Sequence, residues 1–250
     1  MAMQAKKQIK VDVHFSPSTL DEMQLKDKNI IVIDVLRAST TIATALSNGA
    51  KEIIPVSSIE NAVKISGNLF GEVTLRAGER NAKMIEGFNL GNSPLESTEE
   101  VVKGKSIIFV TTNGSAAIVK GKHARRLAVA SFVNLSTVVS FFHELQSDVT
   151  IICAGKDNRF CIEDAVCAGK IINEFERTSK VELVPDDGGI AAAALDRAFG
   201  KNILKMLKAS DHGRYLAEIG FQEDLKVCAE VDFLAILPTL SGNVIRTAKK

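Results

Sequence analysis

Tryptophan is absent from this chain, and aromatic residues supply only 5% of its 250 positions. No basic stripe interleaved with aromatics occurs and the formal net charge is +1, so nothing marks a nucleic-acid or membrane-surface partner. No apolar run approaches the roughly 20 residues that cross a bilayer. The opening MAMQAKKQIKVDV has a lysine pair but no apolar segment or small-residue cleavage site behind it. It is expected to be a ragged lead into a first strand rather than a secretory signal. Four cysteines are too few for a disulfide framework, and none stands in a C-x-x-C pair that would suit zinc. The glycine-lysine pattern of a P-loop is missing. Asp34 is followed by Val35 and Leu36, so the second aspartate of a phosphoryl-aspartate phosphatase is missing too. Repeats, low-complexity tracts and Pro/Gly/Ser linkers are also lacking. Residues 1–250 are therefore expected to form a single soluble, cytoplasmic domain.

What the chain does contain is an alternation of short β-branched runs with helical stretches. NIIVIDVL is apolar almost throughout, as a strand covered on both faces should be. QIKVDVHF, KEIIPVSS, EVTLRAGE, KSIIFVTT, RRLAVASF and DVTIICAG follow the same form. Between them, STTIATALSNG opens on hydroxyl residues and closes on Gly49, the punctuation of a helix. GSAAIVKGK, NLSTVVSFFHELQ and IEDAVCAGKIINEFER read as further helices. Strand, short loop, helix, strand predicts an α/β fold: three layers, α/β/α, around a largely parallel or mixed sheet. The last third reads as mostly helical, with LKVCAEVD as one further strand.

In open parallel sheets, ligands bind beyond the carboxyl ends of the strands, and polar residues collect at those ends here. After NIIVI come Asp34, Arg37, Ser39, Thr40 and Thr41, at a helix start that offers unpaired N–H groups. After KSIIFV come Thr111, Thr112, Asn113 and Gly114, again leading into a helix. After EVTLRA come Glu79 and Arg80, followed by a loop with Asn92 and Ser93. Glu163 and Asp164 follow DVTIIC and suit a hard cation that takes one or two protein carboxylates. Asp12, on the first strand, adds another acid.

A competing chemistry sits in CAGKDNRFC. Cys153 and Arg159 stand at the C-x5-R spacing of thiol phosphatases. Yet Gly155 lies one place early for that loop, Phe160 replaces the usual hydroxyl, and Asp157 would repel a phosphate. A cysteine ending a buried strand is more often a small core residue, and Cys153 is expected to be one.

Taken together, VIDVLRASTTIATALSNGAKEIIPV, GERNAKMIEGFNLGNSPLE, TTNGSAAI and CAGKDNRFCIEDAVCAGKI resemble, in this order, the 2-phosphosulfolactate phosphatase family. ASDHGRYLAEIGFQEDLKVCAEVDFLAILP resembles its C-terminal end, so the resemblance covers nearly the whole chain. It implies an α/β enzyme that uses Mg2+ to hydrolyse (2R)-2-phospho-3-sulfolactate to 3-sulfolactate and phosphate, a step toward coenzyme M. On that basis Asp34 and Glu163, with Asp164, are expected to hold the metal. Arg37 and the N–H groups near Ser39–Thr41 would hold the phosphoryl group, and Thr111 to Gly114 the phosphate or carboxylate. Arg80 and Arg159 would serve the sulfonate. Glu79 or Asp12 would activate water, unless Asp34 itself attacks. The four histidines, being isolated, are not expected to act, and a homodimer is expected from family habit. Another phosphorylated hydroxy or sugar acid as substrate, or a non-catalytic anion-binding role, are the alternatives.

Overall fold

The run NIIVI is buried at every residue once folded, because its strand lies between two helix layers. This is seen in a computed structural model, which describes residues 7–68, 74–178 and 181–248. The strands are β1 (Gln8–His14), β2 (Asn29–Ile33), β3 (Glu52–Pro55), β4 (Thr74–Arg80), β5 (Lys83–Met84) and β6 (Ser106–Val110). They continue with β7 (Arg126–Ala130), β8 (Val149–Cys153), β9 (Glu182–Pro185), β10 (Pro238–Ser241) and β11 (Val244–Thr247). The first half carries helices α1 (Ala38–Ser47), α2 (Ile59–Asn68), α3 (Glu99–Val102), α4 (Gly114–Lys120) and α5 (Leu135–Leu145). The second half carries α6 (Ile162–Thr178), α7 (Asp187–Phe199), α8 (Ile203–Ala209), α9 (Asp211–Glu218) and α10 (Gln222–Cys228). Among the described residues no helix is long and apolar enough to cross a membrane.

These strands form one 11-stranded sheet in the order β5-β4-β6-β3-β11-β10-β7-β2-β8-β1-β9. Two parallel sets, β4-β6-β3 and β7-β2-β8-β1-β9, flank an antiparallel hairpin, β10–β11, that pairs outward with β7 and β3. The three-layer, mixed-sheet expectation is met. Alternate residues of β2 feed opposite faces. Ile31 and Ile33 join the core beneath α5 and α6, while Ile30 and Val32 join the one beneath α1 and α4. The register Ile33↔Ala130 and Ile33↔Cys153 ends β7, β2 and β8 level with one another.

The C-terminal third departs from the sequence reading in three places. LKVCAEVD is not a strand: Leu225 and Cys228 stand three apart and are buried on one face of α10. The hairpin from LPTLSGNVIRT was not anticipated, and it lies at the middle of the sheet. β9 was also not anticipated. The first two residues of the predicted strand EVTLRAGE, Glu72 and Val73, lie outside the described residues, as does the N-terminal lead 1–6.

Because the hairpin is antiparallel on both sides, the two parallel sets run in opposite senses. Each strand step adds a twist of about 20–25°. The carboxyl ends of β2, β4, β6 and β8 still meet: Gly114, after β6, packs against Asp34 and Ala38, after β2, and within the first set Thr112 N–H, after β6, donates to Glu79 Oε1 of β4 at 2.7 Å. Val35 N–H, after β2, donates at 2.9 Å to Asp164 of α6, the helix that follows β8.

Candidate active site

At this meeting point lies a cavity of about 220 Å³, with Asp34 and Glu79 in its wall. Asp34 is 7% exposed. Its Oδ1 accepts the Ala38 N–H at 3.3 Å, at the start of α1. Its Oδ2 packs against Gly114, where any Cβ would overlap it. Glycine at 114 is therefore a requirement of Asp34's position. Burial pushes the Asp34 pKa up to about 6, with Glu79 and Glu163 adding repulsion, while His212 and the Ala38 hydrogen bond act the other way.

Glu79 is a brace. Its two oxygens accept the N–H groups of Ala82 at 2.8 Å and of Thr112 at 2.7 Å, tying the β4–β5 turn to the end of β6. That turn places Asn81 and Ala82 at positive φ, the two-residue hairpin geometry. It is held further by Arg37, which donates to Ala82 O at 2.8 Å, and by Tyr215 Oη, which donates to Asn81 O at 3.0 Å. A second turn of this kind, with Asp157 and Asn158 at positive φ, closes Lys156 on Arg159. The C-x5-R stretch is thus a hairpin tip rather than a phosphate cradle.

Arg37 is 2% exposed and pairs at 2.7 Å with Asp224, equally buried. Its guanidinium lies 4.2 Å from the centroid of the Phe221 ring. Asp224 also accepts from Ser93 Oγ at 2.7 Å, so α10 clamps the loop before α1 to the loop before α3. Asp164 is similarly committed: its oxygens accept Val35 N–H at 2.9 Å and Gly155 N–H at 3.0 Å. Burial, Asp34 and Glu163 hold its pKa well above the usual carboxylate range.

Of the residues expected at the site, Asp34, Arg37, Glu79, Asn92, Thr112 and Asn113 line the cavity. The hydroxyls of Ser39, Thr40 and Thr41 are turned into the protein: they bond Asp34 N–H, Val35 O with Ser131, and Asn92 O. Thr111 Oγ1 accepts Ser115 N–H at 2.9 Å. Arg80 donates to Glu79 O at 2.9 Å and does not line the cavity. Asp12 is half-buried along β1, beside Thr150, and is not brought there either. Arg159 and Glu163 line an adjoining cavity of about 410 Å³.

Seven lining residues were not expected at the site: Leu36, Asn81, Ala82 and Asp157, and the three with side chains suited to binding, Lys156, His212 and Tyr215. His212, set aside as isolated, has Nδ1 3.6 Å from Glu163 Oε1. His212 and Tyr215 stand three apart on α9, which puts both on one face. That spacing was a usable signal, as was a lysine just beyond the end of β8. Cys153 is fully buried, and burial beside Asp164, Cys167 and Glu163 holds its thiol well above the ordinary range. A thiolate nucleophile is disfavoured there.

Two buried side-chain oxygens near this centre have no hydrogen-bond partner: Glu163 Oε1 and Asn92 Oδ1. Carboxylate and amide oxygens are ligands that Mg2+ accepts. Among the described residues no group of three or more His, Cys, Asp or Glu forms a ligand set alone. An ion held here would have to keep several waters and take few protein ligands.

Fold and cavity together define the class: a three-layer α/β protein whose strand ends converge on a polar cavity built around buried carboxylates. The model of the 2-phosphosulpholactate phosphatase family matches residues 14–243, and the chain belongs to that family. A protein of Caldanaerobacter subterraneus subsp. tengcongensis, named a probable 2-phosphosulfolactate phosphatase, is 40% identical over 232 residues, 93% of this chain and 95% of that protein. Proteins of the same name from Symbiobacterium thermophilum and Thermotoga maritima are 41% and 38% identical, over 89% and 94% of this chain and 95% and 96% of theirs.

Proposed function

We propose that this protein is a magnesium-dependent phosphatase that hydrolyses (2R)-2-phospho-3-sulfolactate to 3-sulfolactate and phosphate, a step toward coenzyme M. Family membership and the names of its relatives support the substrate. The observation that carries the chemistry is the acid centre. Asp34 is buried with its pKa near 6, and the buried Glu163 Oε1 has no hydrogen-bond partner, only His212 Nδ1 at 3.6 Å. A cation is the natural complement to such a group.

Mg2+ would be held by Asp34 and Glu163 and would offset charge on the phosphate oxygens. Asp164, with both oxygens on backbone N–H groups, holds the two loops in register instead. Of the two carboxylates considered as bases, only Glu79 reaches the cavity, and it fixes the Ala82 and Thr112 backbone around the substrate. Asp34 is ionised at neutral pH even without the metal, and a bound cation would hold it in that form. Four free, buried cysteines suit the reducing cytoplasm.

The test is phosphate release from 2-phosphosulfolactate with Mg2+, after EDTA, and after Mg2+ is restored. Turnover lost with EDTA and recovered with Mg2+ is expected. Undiminished turnover in EDTA would end the metal assignment, and no turnover in any state would move the substrate to another phosphorylated acid.

A further inference from the structure

The cavity has a charge imbalance. A substrate bearing phosphate, carboxylate and sulfonate must enter a space lined by Asp34, Glu79 and Asp157. Three anions meeting three carboxylates need cationic partners. Arg37 lines the cavity, but its charge is matched by Asp224 at 2.7 Å and its other terminal nitrogen is bonded to Ala82 O. His212 faces Glu163. That leaves Lys156. Its backbone is fixed by the Lys156–Arg159 hairpin tip, and its ammonium has neither a carboxylate nor a hydrogen-bond partner among the described residues. The ammonium lies over the face of Tyr215, 4.7 Å from the ring centroid. Lys156 lines both this cavity and the adjoining one that contains Arg159, so it stands on the wall they share.

We propose that Lys156 is a specificity-determining residue: its ammonium receives an anionic group of the substrate other than the phosphate. This rests on the phosphatase reading above. Phosphate is placed at Asp34, and a sulfonate or carboxylate is met by Lys156 across the cavity. The site thereby favours multiply anionic phosphate esters over simple ones. A compact charge on a flexible stem, parked on an aromatic face, suits a group that must be free to take up a ligand.

The experiment compares wild type with Lys156→Gln and Lys156→Arg, using kcat/KM for 2-phosphosulfolactate, 2-phospholactate and isopropyl phosphate. Calorimetric titration with 3-sulfolactate runs alongside and needs no turnover. Lys156→Gln is expected to lower kcat/KM for 2-phosphosulfolactate at least tenfold, chiefly through KM, and to weaken 3-sulfolactate binding by a similar factor. Lys156→Arg should restore most of both. A smaller loss on 2-phospholactate assigns the ammonium to the sulfonate, and an equal loss assigns it to the carboxylate. An equal loss on isopropyl phosphate places it on the phosphate and overturns the proposal, as does unchanged 3-sulfolactate binding. A wild type that binds 3-sulfolactate through Lys156 without releasing phosphate would sink the phosphatase reading and leave this role standing. The lysine is half-buried on a turn, and an unchanged Tm in the variants would confirm that the fold is intact.

Discussion

Asp34 shows what a functional group costs its own fold. Its carboxyl is raised from 3.8 to about 6 by burial. The unfolded chain therefore ionises first as pH rises, and the folded state holds the extra proton. Stability attributable to this group is intact below about pH 4 and is lost as pH climbs through 6. At about 1.4 kcal/mol per pH unit the loss comes to roughly 3 kcal/mol at neutral pH. Asp34→Asn keeps the acceptor for Ala38 N–H and removes the buried charge. The metal-free variant should thus have a higher Tm than wild type at pH 7.5, a difference that shrinks toward pH 4, while phosphatase turnover falls by several orders of magnitude. Equal Tm values across that range, or near-normal turnover, would remove Asp34 from the centre of the site. Cys153 makes the opposite case, since its thiol is buried and kept protonated. Cys153→Ala should retain most of its activity, and a large loss in a variant with normal circular dichroism would restore the thiol mechanism.

At the scale of elements, the clamp formed by α10 is the feature least visible beforehand. Arg37 and Asp224 are 187 positions apart, and their pairing depends on how the C-terminal helices return over the strand ends. Nothing local in QEDLKVC distinguishes Asp224 from an ordinary acid in a helix's first turn. The strand cores were legible, because an unbroken apolar run such as NIIVI has few other fates. The strand-end acids Asp34 and Glu79 were legible for the same reason: a strand's end can be read from the sequence, and ligands bind there. Hydroxyls at the same corners misled, since Ser39, Thr40 and Thr41 hold the loop rather than face the cavity. Spacing shows where a residue stands along an element, and only the packing decides which way its side chain is used. The clamp carries its own prediction. Asp224→Ala leaves Arg37 buried without a counter-charge and frees Ser93, a loss on the order of 3–5 kcal/mol. An unfolding free energy within a few tenths of a kcal/mol of wild type would show that the pair contributes nothing to the fold.

At the scale of the whole molecule, the last strands of the chain fill the middle of the sheet. On one face the core is continuous, with Ile30 and Val32 of β2 sharing a cluster with Ile53 of β3 and Ile107 of β6. On the other it is divided: one cluster lies under α5 and α6, and a smaller one joins Ile108 and Val110 of β6 to Ala62 of α2. The β10–β11 hairpin sits between those two halves and links β7 to β3 by main-chain pairing. Its inner residue Ile245 is fully buried, and Arg246 ties β11 to Glu52 of β3. The β4-β6-β3 set, with the smaller core of its own, relies on that link more than the other set does. Ile245→Ala should therefore cost about 2–5 kcal/mol, as truncation of a buried isoleucine generally does, and the loss should not be uniform. Amide exchange at Ile107 and Phe109 of β6 is expected to accelerate before exchange at Ile31 and Val32 of β2. Because Glu79 and Thr112 belong to the weaker side and Asp34 to the stronger, the site straddles the seam. Substrate or Mg2+ that engages both sides should slow β6 exchange back toward the wild-type rate. Equal acceleration in β2 and β6 would mean that the sheet opens as one unit, with no seam beneath the site.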